Sequence, residues 1–261
     1  MRHLRAVLGA WALIGLVACG GNGAIDGAAA PDSPPAPSTG AASVHALAGA
    51  WTDSRGDGQL FVAADGQAYG LLSDSGTNRL LRGTLTAQHG LVSPSGFDAV
   101  DMGVPDSRQR WSLTGSYQPQ SQLLLASDSG APVVSAVYDA RSAHGADLAA
   151  LAGTYEVTLY GNGRPTITYL ATLGDSGGID LAGWQDGQEQ CRLRGALTAA
   201  SPAVNILNAR LLASGAGCQF PDGTGIQGLA QYDADHALLV LFGMSGSGDG
   251  ALVLYANRIR A

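Results

Sequence analysis

The amino-acid sequence predicts an all-β protein with two tandem, small, antiparallel up-and-down β-barrel domains of about eight strands each. Short segments rich in Leu, Val, Tyr, Ile and Thr alternate with Asp-Gly, Gly-Asn-Gly, Gly-Ser-Gly and Pro-containing turns about 8–14 residues apart. The second part of the chain also repeats the first. Such strands avoid unpaired edges by closing into a barrel. A sandwich of two sheets in each copy is the alternative architecture.

Four sequence anchors define the repeat and keep their order along the chain. Their offsets are 104, 112, 115 and 117 residues, as expected of two copies that differ in loop length. We therefore predict two domains, with a boundary near residues 144–147. Residues 47–51 recur as 151–155, residues 81–87 as 193–199, Tyr117 as Tyr232, and residues 137–141 as 254–258.

Each copy is expected to be lipocalin-like in architecture, because eight strands leave an interior that side chains fill or that holds one small ligand. Residues 67–72 and 108–117 alternate apolar with small or polar residues, as half-buried strands do. Residues 146–151 have the one helical pattern, of barely two turns. In copy one the predicted strands centre near Trp51, Phe61, Tyr69, Leu81, Ala99, Leu113, Leu124 and Val134.

The amino terminus has the pattern of an export signal. Arg2 and Arg5 precede an apolar run over residues 6–18, which at about 13 residues is too short to span a bilayer. Residues 16–19, Leu-Val-Ala-Cys, resemble the lipobox of bacterial lipoprotein precursors. The resemblance implies cleavage before Cys19, which would then carry a diacylglycerol thioether and an acylated amino group, palmitate being a typical chain. In Gram-negative members of that family, an Asp directly after the lipidated cysteine retains the protein at the inner membrane. Gly20 occupies this position here, so the resemblance implies the outer membrane.

This resemblance divides the chain into four parts. Residues 1–18 are the predicted signal peptide, and residues 19–43 the lipidated terminus with a disordered tether rich in Gly, Ala, Pro and Ser. The tether is long enough to hold a folded body about 25–30 Å from the lipid headgroups. Residues 44–145 are the first predicted β-barrel domain, and residues 146–261 the second.

Composition excludes several functions. The formal net charge is −7 and no basic cluster is present, so we expect no nucleic-acid partner. Lysine does not occur, which excludes Schiff-base chemistry and a phosphate-binding lysine. No later apolar run is long enough for a transmembrane helix.

If Cys19 is acylated, Cys191 and Cys218 remain as one possible pair. An exported chain meets an oxidising compartment, where disulfides persist. We predict a Cys191–Cys218 disulfide that closes a loop of about 27 residues and stabilises the fold by roughly 3 kcal/mol. A two-cysteine metal site is the alternative, although no His is near either cysteine in sequence.

Residues 174–178, Gly-Asp-Ser-Gly-Gly, are spelled like the nucleophile motif of chymotrypsin-like serine proteases. That chemistry needs a histidine base and an aspartate. His45, the one upstream candidate at the family's separation, lies at the edge of the tether, outside the family's sequence context for that residue. In the repeat alignment, Gly177 and Gly178 correspond to Asp65 and Gly66, so we interpret the motif as a hairpin turn.

The remaining motifs do not indicate a binding, catalytic or metal site. Residues 55–57, Arg-Gly-Asp, match an integrin-binding tripeptide, but such turns are common. The histidines are scattered, and Glu156 and Glu189 fall in different predicted strands. Asp233 and Asp235 are too few oxygen ligands for Ca²⁺. We expect Trp51 and Tyr155, at one repeat position, to plug the barrels.

These observations predict a non-enzymatic, lipid-anchored envelope lipoprotein without catalytic residues, metal or cofactor. It would act as a binding or interaction module, attached to the membrane through its acyl chains, with an unknown protein or small-molecule ligand. One alternative is a protease inhibitor, because the Leu-Ala-Gly entry of each copy and the single disulfide resemble the small-barrel inhibitors of bacterial metalloproteases. Another is a lipocalin-like carrier of a small apolar ligand, which needs a hollow barrel.

Overall fold

Two closed, eight-stranded antiparallel β-barrels follow one another in the chain, as the sequence predicts. The structure is a computed structural model that describes residues 46–54, 56, 58–74, 76–104, 106–128, 132–161 and 168–259. The lipobox-like residues 16–19, with Cys19, and the predicted tether lie outside these residues. Both barrels belong to one compact unit.

The first barrel is an up-and-down meander in which β4 pairs with β6 and β1 pairs with β9 to close the ring. The extra strand β5 is a two-residue strand beside β6. All eight predicted strand centres fall inside the observed strands. The strands are β1 Gly49–Asp53, β2 Gln59–Val62, β3 Gln67–Asp74, β4 Thr77–Thr84, β5 Ala87–Gln88, β6 Leu91–Asp101, β7 Gln109–Gln118, β8 Gln122–Ser127 and β9 Pro132–Tyr138.

The second barrel has the same order, and β10 pairs with β17 to close it. Its long strand β13 spans the region that β4 and β5 divide in the first barrel. The strands are β10 Gly153–Gly161, β11 Thr168–Leu173, β12 Gly178–Gln185, β13 Gln188–Ser201, β14 Val204–Ser214, β15 Gly225–Asp233, β16 Leu238–Ser245 and β17 Ala251–Arg258.

A short connection joins the barrels. It contains a 3-10 turn, Ala140–Ser142, and a one-turn helix α1, Leu148–Leu151. Asp147 caps α1, because its carboxylate accepts hydrogen bonds from the backbone N–H groups of Ala149 and Ala150. The predicted helical segment is therefore present but shorter than expected.

The two copies share a buried aromatic plug at the same repeat position. Trp51 Nε1 donates to the carbonyl of Leu47 over 2.8 Å, and Tyr155 Oη donates to the carbonyl of Leu151 over 2.7 Å. Both rings are fully buried. Each aromatic thus satisfies a backbone carbonyl at the entry to its barrel, which confirms the prediction that these rings fill the barrels.

The turn that contains the protease-like motif also has its counterpart in the first copy. Leu85 N–H donates to the carbonyl of Gly66, and Leu197 N–H donates to the carbonyl of Gly177, each over 2.8 Å. Gly66 and Gly177 both have positive φ, which glycine adopts without strain. The structure therefore aligns Gly177 with Gly66, one residue from the predicted alignment with Asp65, because the second copy has one extra residue after this turn, at the β-bulge between β12 and β13.

Side chains from the inner faces of the strands form a contiguous buried cluster in each barrel. Trp51, Phe97 and Leu113 belong to the cluster of the first barrel, and Tyr155 and Leu181 to that of the second. These residues are between 0 and 1% exposed. The apolar positions that define the strands therefore supply the packing that stabilises each barrel.

A third buried cluster lies between the barrels and is built from outward-facing side chains. Phe61 stacks on Phe242 with ring centroids 4.7 Å apart. Leu80, Val100 and Met244 pack in the same cluster and are 0 to 1% exposed. The barrels therefore share a hydrophobic interface, which we did not predict from the sequence.

Among the described residues, no helix has the length and apolar character needed to cross a membrane.

Candidate binding site at the junction of the barrels

The most unusual polar arrangement of the fold surrounds Asp98 on β6. Arg82 on β4 and Arg110 on β7 lie directly opposite Asp98 in the strand register, one on each side. Arg108 reaches the same carboxylate from the end of the loop before β7. Strand pairing thus brings these residues together on the outer face of the first barrel. Opposite charges in directly paired positions attract one another.

Three guanidinium groups donate to this one carboxylate. Arg82 Nη2 lies 2.8 Å from Asp98 Oδ2. Arg108 Nη2 and Arg110 Nη1 each lie 3.1 Å from Oδ1, and Arg108 Nε lies 3.2 Å from it. The Asp98 side chain is only 7% exposed, whereas that of Arg110 is 70% exposed. The carboxylate therefore holds three cations together, one of which extends into solvent.

The local electrostatics follow from this geometry. Burial on its own raises the pKa of Asp98, but hydrogen bonds from Arg82, Arg108 and Arg110 outweigh burial and lower the pKa below its ordinary value. Burial raises the pKa of the Tyr69 phenol, which adjoins Arg82. Near neutral pH the site therefore contains ionised Asp98, neutral Tyr69 and three guanidinium cations.

Two of these arginines also join the barrels. Arg82 Nη1 donates to the carbonyl of Ser245 over 2.8 Å, and Arg108 Nη1 donates to that of Ser247 over 2.6 Å. Ser245 is the last residue of β16, and Ser247 lies in the loop between β16 and β17. A Cβ at Gly248 would lie 3.0 Å from both guanidinium groups, so glycine permits the loop to approach them. Arg82 and Arg108 are thus structural links as well as local charges.

A polar cleft of about 620 Å³ opens beside this cluster, and we call it the arginine cleft. It is lined by both barrels, with Arg82, Asp98 and Arg110 on one side. Neutral hydrogen-bonding side chains line the remainder, namely Gln67, Thr84, Thr86, Ser95 and Gln227. Its chemistry suits a polar ligand with a negative group.

A second junction cleft, of about 630 Å³, has a different character, and we call it the tyrosine cleft. Tyr160 and Tyr255 form an edge-to-face pair with centroids 6.0 Å apart. Leu71, Met102 and Val253 supply apolar surface beside them. Aromatic and thioether groups of this kind suit apolar or ring-shaped ligands.

The disulfide prediction is confirmed. The Sγ atoms of Cys191 and Cys218 lie 2.06 Å apart, and their Cα atoms 4.6 Å apart. The pair belongs to the interior cluster of the second barrel, together with Phe220. Two cysteines bonded to each other offer no thiolate, so they do not form the alternative metal site.

The first barrel has an ion pair in the corresponding place. Arg79 on β4 precedes Cys191 by the same 112 residues that separate Leu81 from Leu193. Arg79 Nε lies 2.5 Å from Asp101 Oδ1, and its guanidinium lies 5.5 Å from the ring centre of Trp111. The equivalent strand is therefore held by different chemistry in the two copies, by an ion pair to the end of β6 in the first and by a disulfide to the loop after β14 in the second.

The motifs that resemble catalytic or metal sites remain separate in the fold. Ser176 lies exposed in the turn between β11 and β12, as interpreted. Glu156 is on β10 and Glu189 is on β13, which do not pair in the barrel. Asp233 contacts His236 over 2.7 Å and pairs with Arg141, so its oxygens already have protein partners.

Arg55 and Asp57 of the Arg-Gly-Asp tripeptide, for which we predicted no function, lie outside the described residues. Within the part of the chain that the structure describes, no three His, Cys, Asp or Glu side chains come together as a metal site.

The arginine cluster was missed at the level of sequence, because its members are unevenly spaced and meet only through strand register. One signal for the junction was available. Strand β16 is apolar at nearly every position, and such a strand is buried on both faces, as β16 is here. Comparisons of this chain with protein-family models, curated proteins and solved structures find no match.

Proposed function

We propose that the chain is a lipid-anchored outer-membrane lipoprotein that acts as a non-enzymatic binding module. The observation that carries the binding role is that both junction clefts are lined by residues of both barrels. A ligand at the junction would contact two domains at once, as ligands at domain interfaces commonly do. The anchor part of the proposal is supported by the lipobox-like residues 16–19.

The packing of the barrels favours this role over carriage of an apolar ligand inside a barrel. Large side chains such as Trp51, Phe97 and Tyr155 are fully buried in the interior clusters. A ligand in the same place would have to displace these packed groups, at several kcal/mol for each large side chain. A small apolar molecule would fit the tyrosine cleft better, and this is the second candidate function.

Metabolic labelling with an alkyne-bearing palmitate tests the anchor. The wild-type chain is expected to be labelled and to sediment with the outer membrane. Cys19→Ala should abolish labelling, whereas the matched variant with Cys191→Ala and Cys218→Ala should keep it. Equal labelling of the Cys19→Ala chain would contradict the anchor.

Photo-crosslinking in intact cells tests the binding role separately. A photoreactive amino acid at Thr86 samples the arginine cleft, and one at Ser73 samples the tyrosine cleft. The control is Ser116, which is exposed on β7. We expect a discrete crosslinked product from at least one cleft position and none from the control. Absence of product at both cleft positions would contradict a binding site at the junction.

A further inference from the structure

We propose that the arginine cleft binds a small anion that carries several hydroxyl groups, such as an acidic sugar or a sugar phosphate. Arg110 would hold the anionic group, and the neutral side chains of the cleft would hold the hydroxyls. This inference rests on the proposed binding function and assigns a ligand class to one of its clefts.

The first support is the disposition of Arg110. Its side chain is 70% exposed and lines the cleft, while Nη1 is fixed by Asp98. A guanidinium has five N–H donors in a planar fork, so Nε and Nη2 remain for a carboxylate or phosphate. A Cβ at Gly96 would lie 2.7 Å from Nη2, so the absence of a side chain there leaves room for the guanidinium.

The second support is charge. Three guanidinium groups and the one carboxylate of Asp98 give the cluster a net charge of +2, although the formal net charge of the protein is −7. If the carboxylate of Asp249, in the loop between β16 and β17, is included in this sum, the net charge is +1. A local positive charge next to a half-enclosed cleft attracts an anion despite the acidic remainder of the chain.

The third support is the neutral lining. Thr84, Thr86, Gln67 and Gln227 are exposed within the cleft and offer both donors and acceptors. Hydroxyl groups of a sugar need such paired donors and acceptors. A cleft of about 620 Å³ exceeds the volume of a monosaccharide, so a ligand of this class fits.

The repeat shows that barrel closure does not require the cluster. In the second barrel, Arg194 corresponds to Arg82, and its register partner is Leu212, where the first barrel has Asp98. The second barrel therefore closes without this carboxylate. Arg82 and Arg108 additionally link the barrels, but Arg110 contacts only Asp98 among the described hydrogen bonds. Arg110 is the member of the cluster best explained by a ligand.

Titration of the full-length lipoprotein in detergent micelles, followed by NMR, tests the inference. The probes are glucuronate, glucose 6-phosphate, neutral glucose and inorganic phosphate. We expect at least one anionic sugar to bind about tenfold or more tightly than glucose and inorganic phosphate. Whichever of glucuronate and glucose 6-phosphate binds more tightly identifies carboxylate or phosphate as the preferred anionic group.

The variants assign the site. Arg110→Gln is expected to weaken binding about tenfold or more, and Arg110→Lys to restore part of it, because a point charge lacks the planar fork. Arg194→Gln is the matched control, since it removes an exposed arginine from an ion pair with Asp180 in the second barrel. Its affinity should equal that of the wild type. An unchanged thermal transition of Arg110→Gln verifies folding.

Three outcomes would overturn the inference. They are no binding of either anionic sugar, binding of glucose or inorganic phosphate as tight as that of the tighter-binding anionic sugar, and unchanged binding by Arg110→Gln. None of them affects labelling of Cys19 or crosslinking at Ser73, so a failure here is distinguishable from a failure of the proposed function.

Discussion

Phe61 of the first barrel stacks on Phe242 of the second, with ring centroids 4.7 Å apart and an interplanar angle of 20°. Both rings are completely buried, although both project from the outer faces of their barrels. An outer face with this much buried apolar surface is stabilised only when the other barrel covers it. The two barrels are therefore expected to behave as one cooperative unit.

Phe242→Ala should destabilise both barrels together. Truncation of a buried Phe typically costs about 3–5 kcal/mol, because it removes apolar contacts and leaves a cavity. Calorimetry of the wild type should show a single transition, which the variant shifts to lower temperature or splits in two. Leu124→Ala is the control, because Leu124 is 40% exposed and its loss should change the free energy of unfolding by well under 1 kcal/mol. A Phe242→Ala transition that matches the wild type would contradict an energetic role for the interface.

Loss of the disulfide should weaken the second barrel. Cys191 and Cys218 are 27 residues apart in sequence, and a crosslink over such a loop stabilises the native state by roughly 3 kcal/mol. The double variant Cys191→Ala, Cys218→Ala should therefore unfold at lower urea concentration than the wild type. Addition of reductant should destabilise the wild type and leave the double variant unchanged. Equal stability of the two proteins would show that the bond contributes little.

The sequence predicted the strands well because the signal for a strand is local. Alternation near Tyr69 and Leu113 and the turns at Gly66 and Gly177 each depend on a few neighbouring residues. The aromatic plug at Trp51 was also predictable, because a repeat makes equivalent residues visible in both copies.

The junction was not predictable to the same degree. An apolar residue such as Leu80 has the same pattern whether it faces a barrel interior or another barrel, so the sequence does not distinguish the two. The cluster around Asp98 depends on strand register, since Arg82 and Arg110 are 16 and 12 residues away in sequence and become its neighbours only after the sheet closes. Sites that depend on strand register can be identified only when the fold is known.

Asp98→Asn should reduce the acid sensitivity of the fold. The pKa of Asp98 is lowered in the folded state, so its ionised form stabilises the fold above its ordinary value of 3.8, and this contribution is lost as the pH falls through the lower folded pKa. Wild-type urea midpoints should therefore decrease more steeply below about pH 4 than those of the variant.

At pH 7 the same Asp98→Asn variant should be less stable than the wild type, because three guanidinium groups lose their shared counter-ion. Asp139, Asp180 and Asp233 also have lowered pKa values, so only the difference between wild type and variant isolates Asp98. Parallel pH profiles for the two proteins would contradict the assigned role of Asp98.

Tyr155→Phe should cost about 1–2 kcal/mol of unfolding free energy, because it leaves the buried carbonyl of Leu151 without its 2.7 Å donor. Burial raises the pKa of Tyr155, so its neutral form stabilises the fold at ordinary pH and that contribution is lost only at strongly alkaline pH. Tyr160→Phe is the control, since Tyr160 is 54% exposed. Chemical denaturation at pH 7 measures the stability of both variants. Equal midpoints for Tyr155→Phe and the wild type would show that the hydrogen bond makes no net contribution to stability.

Substitution of glycines should separate those that the barrel geometry requires from those that it tolerates. Gly195 on β13 is exposed, yet a Cβ built there would lie 1.8 Å from the carbonyl oxygen of Arg210 on β14. That atom is backbone, so Gly195→Ala must displace a paired strand, and we expect a loss of about 1–3 kcal/mol. Gly178 on the neighbouring strand β12 has nothing within 4 Å of its Cβ position.

Gly178→Ala should be neutral or stabilising by up to about 1 kcal/mol, because Ala reduces the conformational freedom of the unfolded chain. Urea denaturation of both variants gives the comparison directly. The glycines of the described residues would then fall into two classes, since those whose Cβ position touches a neighbouring strand permit the strong curvature of a small closed barrel, and those with open space around it do not. If the two variants had equal stability, close strand approach would not explain why glycine occupies position 195.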